Sequence, residues 1–203
     1  MTLTVYHARN TRSLRVLWTL EELGIKAEVK SLQFPPRRLQ PDYLSINPTG
    51  AVPALVDGEL VLTESMAICE YIAAKHGPSL LVGPDEADRI QFLQWLWYGE
   101  STLMTPLSRI ATVSRLERKS ADIDAIMADA RDNAGVRLTS LERHLEGREF
   151  LAVGRFTLAD ISLGYPLHLV GLFGLDALLG PRAAAYRARL FARPAFQRAV
   201  AVP

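Results

Sequence analysis

The chain has 203 residues, 49% of them hydrophobic and 22% charged, which suits one large packed domain or two small ones. Its formal net charge is +1, and its 19 Arg and 4 Lys are scattered without a long run, so no strong field draws nucleic acid or an anionic membrane. A single cysteine, Cys69, excludes an internal disulfide and a cysteine-built metal site, and no segment reaches the about 18 uninterrupted apolar residues that a membrane helix needs. The start MTLTVYHARN lacks a basic stretch followed by an apolar one, so no signal peptide is expected, and the composition suggests a cytoplasmic protein.

Residues 1–77 mix strand and helix signals. TLTVYH alternates and is β-branched, which predicts a strand. Residues 12–24 predict a helix in which Arg12, Arg15, Thr19 and Glu22 form a polar stripe, closed by Gly24. AEVKSLQ is a second strand. The proline-rich PPRRLQPDYLSINPTG is a loop with room for a helical turn. PALVDGELVLTES is expected as strand, Asp57-Gly58 turn, strand, and SMAICEYIAAKHG as a helix starting at Ser65. A strand-helix-strand order implies a right-handed parallel crossover, and the tight turn an antiparallel pair. Together they give a small mixed sheet with helices packed on it.

HGPSLLVGPDEA has the Gly, Pro and Ser content of a linker, placed at 78–86. From 87 to 203 the signals are helical. EADRIQFLQWLWYGESTLM is helical and aromatic. In SADIDAIMADARDNAGVRLTSLERHLEG, a buried stripe runs through Ile123, Ile126, Met127, Ala130, Ala134, Leu138, Leu141 and Leu145. TLADISLGYPLHLVGLFG is apolar enough to be a buried central helix, and two short helices are expected near 181–191 and 194–201. Thr157 and Asp160 have the spacing of a capping box, and Asp160 is given a structural role.

Three stretches carry possible chemistry. Between the first strand and helix lies a polar knot without glycine, in which Asn10, Thr11 and Ser13 either cap the helix or offer donors to an anion at its N-terminus. Pro53 stands just before a strand. It is either an ordinary strand-start proline or a cis proline that frees the Val52 backbone for an extended peptide. Ser65 either caps its helix or holds a carboxylate there, with Glu64 beside it for an ammonium.

Taken in order, NTRSLRVLWTLEELG, NPTGAVPALVDG, LTES and RFTLADI resemble the cytosolic glutathione transferase family over essentially the whole chain. The resemblance implies an N-terminal thioredoxin-like domain followed by an all-helical bundle. It also implies glutathione as substrate, with no metal. By the same resemblance, Asn10 or Thr11 hydrogen-bonds the glutathione thiolate. Val52 and Pro53 meet the cysteinyl unit, Glu64 and Ser65 the γ-glutamyl end, and Arg12, Ser13 and Gln40 add contacts. The cysteine-type members carry their cysteine where this chain has Arg12, so a serine- or asparagine-like loop is expected instead, with Cys69 in the core. Two family residues are missing: Ala51 stands where Lys, Gln or His reaches the glycyl carboxylate, and Met66 where many members have Arg. Arg12, Arg37, Arg38 or Gln40 are candidates to compensate.

The activity so implied is attack of the glutathione thiolate on a small apolar electrophile, in a detoxifying role, with Tyr98, Met104 and Thr105 lining the electrophile pocket. The alternatives are glutathione-dependent disulfide or peroxide reduction and a non-catalytic binding protein. The resemblance also implies a homodimer, and the run FLQWLWYG, apolar on more than one face, is consistent with one. In that dimer Glu100 reaches the neighbour's ligand ammonium.

Overall fold

The computed structural model describes residues 3–118 and 120–203. Thr2, where the first strand is expected to start, lies outside them. By their contacts the residues divide into two compact units: one extends to Leu81 and takes in Phe191–Pro203, and the other is Val82–Leu190.

The first unit is a thioredoxin-like layer. Strand β1 (Leu3–His7) leads into helix α1 (Ser13–Leu23) and then β2 (Ala27–Ser31). A short helix α2 (Pro36–Leu39) and a 3-10 turn at Pro41–Ser45 precede β3 (Ala54–Asp57), β4 (Leu60–Thr63) and helix α3 (Ser65–His76). The sheet order is β2-β1-β3-β4, with β1 and β2 parallel and the other pairs antiparallel. Leu3, Val5 and His7 alternate onto a fully covered face, as a period of two requires. Gly24 ends α1 in the left-handed region, where glycine is unstrained. The β3–β4 hairpin turns one residue later than expected: Asp57 pairs with Leu60, which leaves Gly58-Glu59 as the loop. Gly58 supplies the positive φ that such a two-residue loop demands.

Helix α9 (Pro194–Val200) belongs with this unit and packs on α1. Phe196 meets the Trp18 ring edge-on at 4.9 Å, and Arg193 forms a two-pronged pair with Glu22 at 2.6 and 2.7 Å. The sequence assigns 87–203 to one helical half. The grouping observed differs for this tail, because its apolar and charged partners lie on α1.

The second unit is helical: α4 (Arg89–Trp97), α5 (Met104–Val113), α6 (Ala121–His144), α7 (Leu158–Leu172) and α8 (Pro181–Phe191). One continuous aromatic helix is expected across 86–104; instead a π-helical segment, Tyr98–Thr102, separates α4 from α5. Gly99 explains how it seats against α7, since a Cβ there would come within 2.5 Å of the Ser162 Oγ and 2.7 Å of its backbone. Ser162 in turn donates to the Leu96 carbonyl at 2.7 Å. Helix α7 begins with the expected capping box of Thr157 and Asp160. The α6 stripe is buried from Ala130 to Leu145, whereas Ile126 is exposed. No helix among the described residues is long and apolar enough to cross a membrane.

Candidate functional site

Strand register gathers the three chemical stretches. Tyr6 pairs with Ala54, and Ala54 with Thr63. The loop leaving β1, the loop entering β3 and the loop leaving β4 therefore all lie at the same end of the sheet. These loops carry Asn10–Ser13, Val52-Pro53 and Glu64-Ser65.

In the first loop Arg12 occupies the N-cap position and its side chain makes no capping bond, while Thr11 Oγ1 accepts from the N–H of Ser13, the first residue of α1, at 3.4 Å. Thr11 and Ser13 point inward. His7 Nδ1 lies 2.8 Å from Ser13 Oγ, Ser13 Oγ 2.7 Å from Thr11 Oγ1, and Thr11 Oγ1 2.6 Å from the Ala8 carbonyl. Thr11 gives its proton to the Ala8 carbonyl, and the Ser13 proton has acceptors in Thr11 Oγ1, in His7 Nδ1 and, at 3.2 Å, in the same Ala8 carbonyl. Burial lowers the His7 pKa, which keeps the ring neutral, with the Val202 backbone opposing more weakly. In this arrangement neither hydroxyl retains a proton for a ligand, and Ser13 is fully buried. Asn10 is exposed, with φ at 58°, a left-handed conformation that Asn tolerates better than most residues.

The second loop is fixed by residues the sequence analysis did not single out. The Asn47 amide and the Tyr43 phenol both donate to the Ala51 carbonyl, each at 2.7 Å. Asn47 Oδ1 accepts from the Thr49 N–H and hydroxyl, a local turn that the Asn-Pro-Thr spacing could have signalled. Burial pushes the Tyr43 phenol up to about 12, so it remains a donor at neutral pH. The Val52-Pro53 bond is cis, the second of the two alternatives for Pro53. Among the described residues the Val52 N–H and C=O have no hydrogen-bond partner.

At the third loop Glu64, not Ser65, occupies the N-cap of α3, with φ at 68° and no side-chain cap bond. Ser65 is the first helical residue. It is buried, and its Oγ accepts from the Arg15 guanidinium at 3.2 Å. The polar stripe of α1 thus turns partly inward: Arg15 and Thr19 are both fully buried, and Thr19 Oγ1 donates back to the Arg15 carbonyl. One turn along α3, Cys69 is buried, and burial pushes its thiol up to about 12, which leaves it protonated and unreactive.

The remaining expected residues are more dispersed. Arg12 is half-buried in the first loop. Gln40 accepts from the Gln33 N–H and lines an open cleft of about 570 Å³ with Tyr6, Lys30 and Tyr43. Tyr98, Glu100, Met104 and Thr105 belong to the helical unit. Met104 is buried in the bundle core; the Tyr98 hydroxyl donates to the Arg137 carbonyl at 3.0 Å; Thr105 is exposed and returns its hydroxyl to the Ser101 carbonyl. No group of three or more His, Cys, Asp or Glu among the described residues is arranged to hold a metal.

Residues 1–74 match the family model of the glutathione S-transferase N-terminal domain. Glutathione S-transferase F9 of Arabidopsis thaliana is 33% identical over 211 residues, covering 99% of this chain and 97% of its own. A glutathione transferase family member from Pseudomonas fluorescens, solved with two glutathione bound, superposes with a TM-score of 0.87 at 27% identity, over 100% of this chain and 93% of that one. A glutathione transferase from Burkholderia graminis, with two glutathione molecules per subunit, gives 0.86 at 26% identity, over 100% and 88%.

Proposed function

The chain belongs to the glutathione S-transferase family, and from that premise we propose that it binds glutathione at the shared sheet end and activates its thiol for attack on a small apolar electrophile. The observation that supports this is the register Tyr6–Ala54–Thr63, which brings the loops carrying Asn10, Val52-Pro53 and Glu64-Ser65 to one end of the sheet.

The residues divide the work by their chemistry. The free Val52 N–H and C=O pair with the cysteinyl backbone like an added strand. Ser65 and the unpaired N–H groups of the first α3 turn take the γ-glutamyl carboxylate, and Glu64 takes the ammonium. Asn10 donates its NH₂ to the sulfur. It cannot act as a base, so it favours the thiolate electrostatically and lowers the thiol pKa. Thr11 and Ser13 support the loop from behind. Ala51 offers no charge to the glycyl carboxylate, and Arg12 and Gln40 are the candidates in its place. For the electrophile, Tyr98 and Thr105 of the helical unit are the candidate contacts. We further assign a homodimer, in which Glu100 helps hold the neighbour's ligand, and a cytoplasmic, detoxifying role.

One second reading has an observation in its favour. Relatives from Pseudomonas fluorescens and Burkholderia graminis hold two glutathiones. A site for two would suit reduction of a disulfide, in which two glutathione thiols become one glutathione disulfide and the substrate gains two thiols. Cys69, buried and protonated, would take no part.

Calorimetry with reduced glutathione tests the site. Ser65→Ala should weaken binding several-fold or more, and unchanged affinity contradicts the assignment. A panel of aryl halides, peroxides and mixed disulfides then separates transfer from reduction.

A further inference from the structure

A guanidinium has five N–H donors and no acceptor, and it keeps its charge at any pH a folded protein meets. Arg15 is nonetheless fully buried, on the face of α1 that packs against α3. Burying that charge is costly unless its donors are used. One of them is aimed at Ser65 Oγ, 3.2 Å away and 50 residues distant in sequence.

The direction of that bond fixes the serine. Because Arg15 can only donate, Ser65 Oγ is the acceptor, and the hydroxyl proton must leave in another direction. Among the described residues no group accepts it. Ser65 opens α3, where the first-turn N–H groups also lack intrahelical partners. Hydroxyl and amide protons are therefore presented together, with a buried positive charge behind them.

We propose that Arg15 is a positioning residue of the glutathione site: by occupying the Ser65 oxygen as an acceptor, it commits the Ser65 hydroxyl proton to the ligand's γ-glutamyl carboxylate. This rests on the assignment of Ser65 to that carboxylate. Nothing in the sequence pattern separates Arg15 from its neighbours Arg12 and Glu22 on the same polar stripe. The tertiary packing of α1 on α3 singles it out.

A double-mutant cycle tests it. Reduced glutathione is titrated by calorimetry into the wild type, Arg15→Met, Ser65→Ala and the double variant, with thermal unfolding recorded for each. The proposal expects each single change to weaken binding by about fivefold or more, and Arg15→Met to add less than about twofold once Ser65 is Ala. In turnover, KM for glutathione should rise more than kcat falls. Equal losses from Arg15→Met in both backgrounds, or no loss in either, would overturn it, since a purely structural arginine acts without regard to Ser65. If Arg15→Met fails to fold, Arg15→Lys takes its place in the cycle. Lysine keeps the charge but not the fork, so a loss that vanishes with Ser65→Ala supports the proposal, and a loss that persists, or none, overturns it. Should Ser65→Ala alone leave affinity unchanged, the assignment of Ser65 fails first, and the role of Arg15 with it.

Discussion

Tyr186 donates its phenol proton to Asp160 at 2.7 Å inside the helical unit. The same carboxylate accepts from the Leu151 and Thr157 N–H groups, at 3.1 and 2.8 Å, and from the Thr157 hydroxyl. Every partner is a donor. Tyr186→Phe should therefore cost about 1–3 kcal/mol, and Asp160→Asn more, because its NH₂ would face another N–H. Urea unfolding measures both, and an Asn variant as stable as wild type would contradict this.

The same carboxyl makes a pH prediction. Burial raises it from 3.8 to about 6, against the pull of its donors. Between those values the folded chain keeps a proton that the unfolded chain has released. Its contribution to stability is thus greatest below about pH 4, declines by up to about 3 kcal/mol as pH rises to about 6, and then levels off. The stability gap between wild type and Asp160→Asn should narrow over that window. A gap that widens would refute the sign.

The tail is held to α1 by the pair of Arg193 and Glu22, with the Trp18 indole donating to the same carboxylate at 2.8 Å. Arg193→Met should lower unfolding stability by about 1.5–3 kcal/mol, as expected for charge-assisted bonds. An unmoved urea midpoint would mean the tail contributes nothing there.

Cys69→Ala should keep kcat/KM for glutathione within about twofold and lose only packing energy. Native protein should resist alkylation at neutral pH, since the thiol titrates at about 12. A folded but inactive variant would point to thiol chemistry instead.

Apolar side chains stand exposed on both units: Leu60 and Val61 on β4, and Ile90 and Trp97 on α4, with Ile90 at 73%. They are the candidate surfaces for the proposed dimer. Light scattering at micromolar concentration should report twice the chain mass, and Trp97→Glu should return it toward one. A wild-type monomer with full turnover would remove both the dimer and the role of Glu100.

Local chemistry was legible in the sequence, and tertiary chemistry was not. Gly24, the Thr157–Asp160 box and the alternation of β1 each announce themselves within a few residues, and each stands where expected. A helical period reveals a polar stripe on α1 but not that packing on α3 turns Arg15 and Thr19 inward. Likewise the π-helical segment shares the composition of its neighbours, and only the close seat of Gly99 on Ser162 accounts for its register. Tyr43 and Asn47, which hold the loop before Val52, looked like ordinary loop residues because their common acceptor is a backbone carbonyl. Arg193 and Glu22 are 171 residues apart, so no local pattern joins them.

Central to the proposed chemistry is that the loop around Asn10 favours the thiolate of bound glutathione. Ultraviolet thiolate absorbance, followed against pH with the tripeptide bound, measures this directly. The bound thiol should titrate at least about one unit below the ordinary cysteine value near 8.5, and Asn10→Ala should move it most of the way back while binding persists. A bound thiol that titrates where free glutathione does would contradict the account.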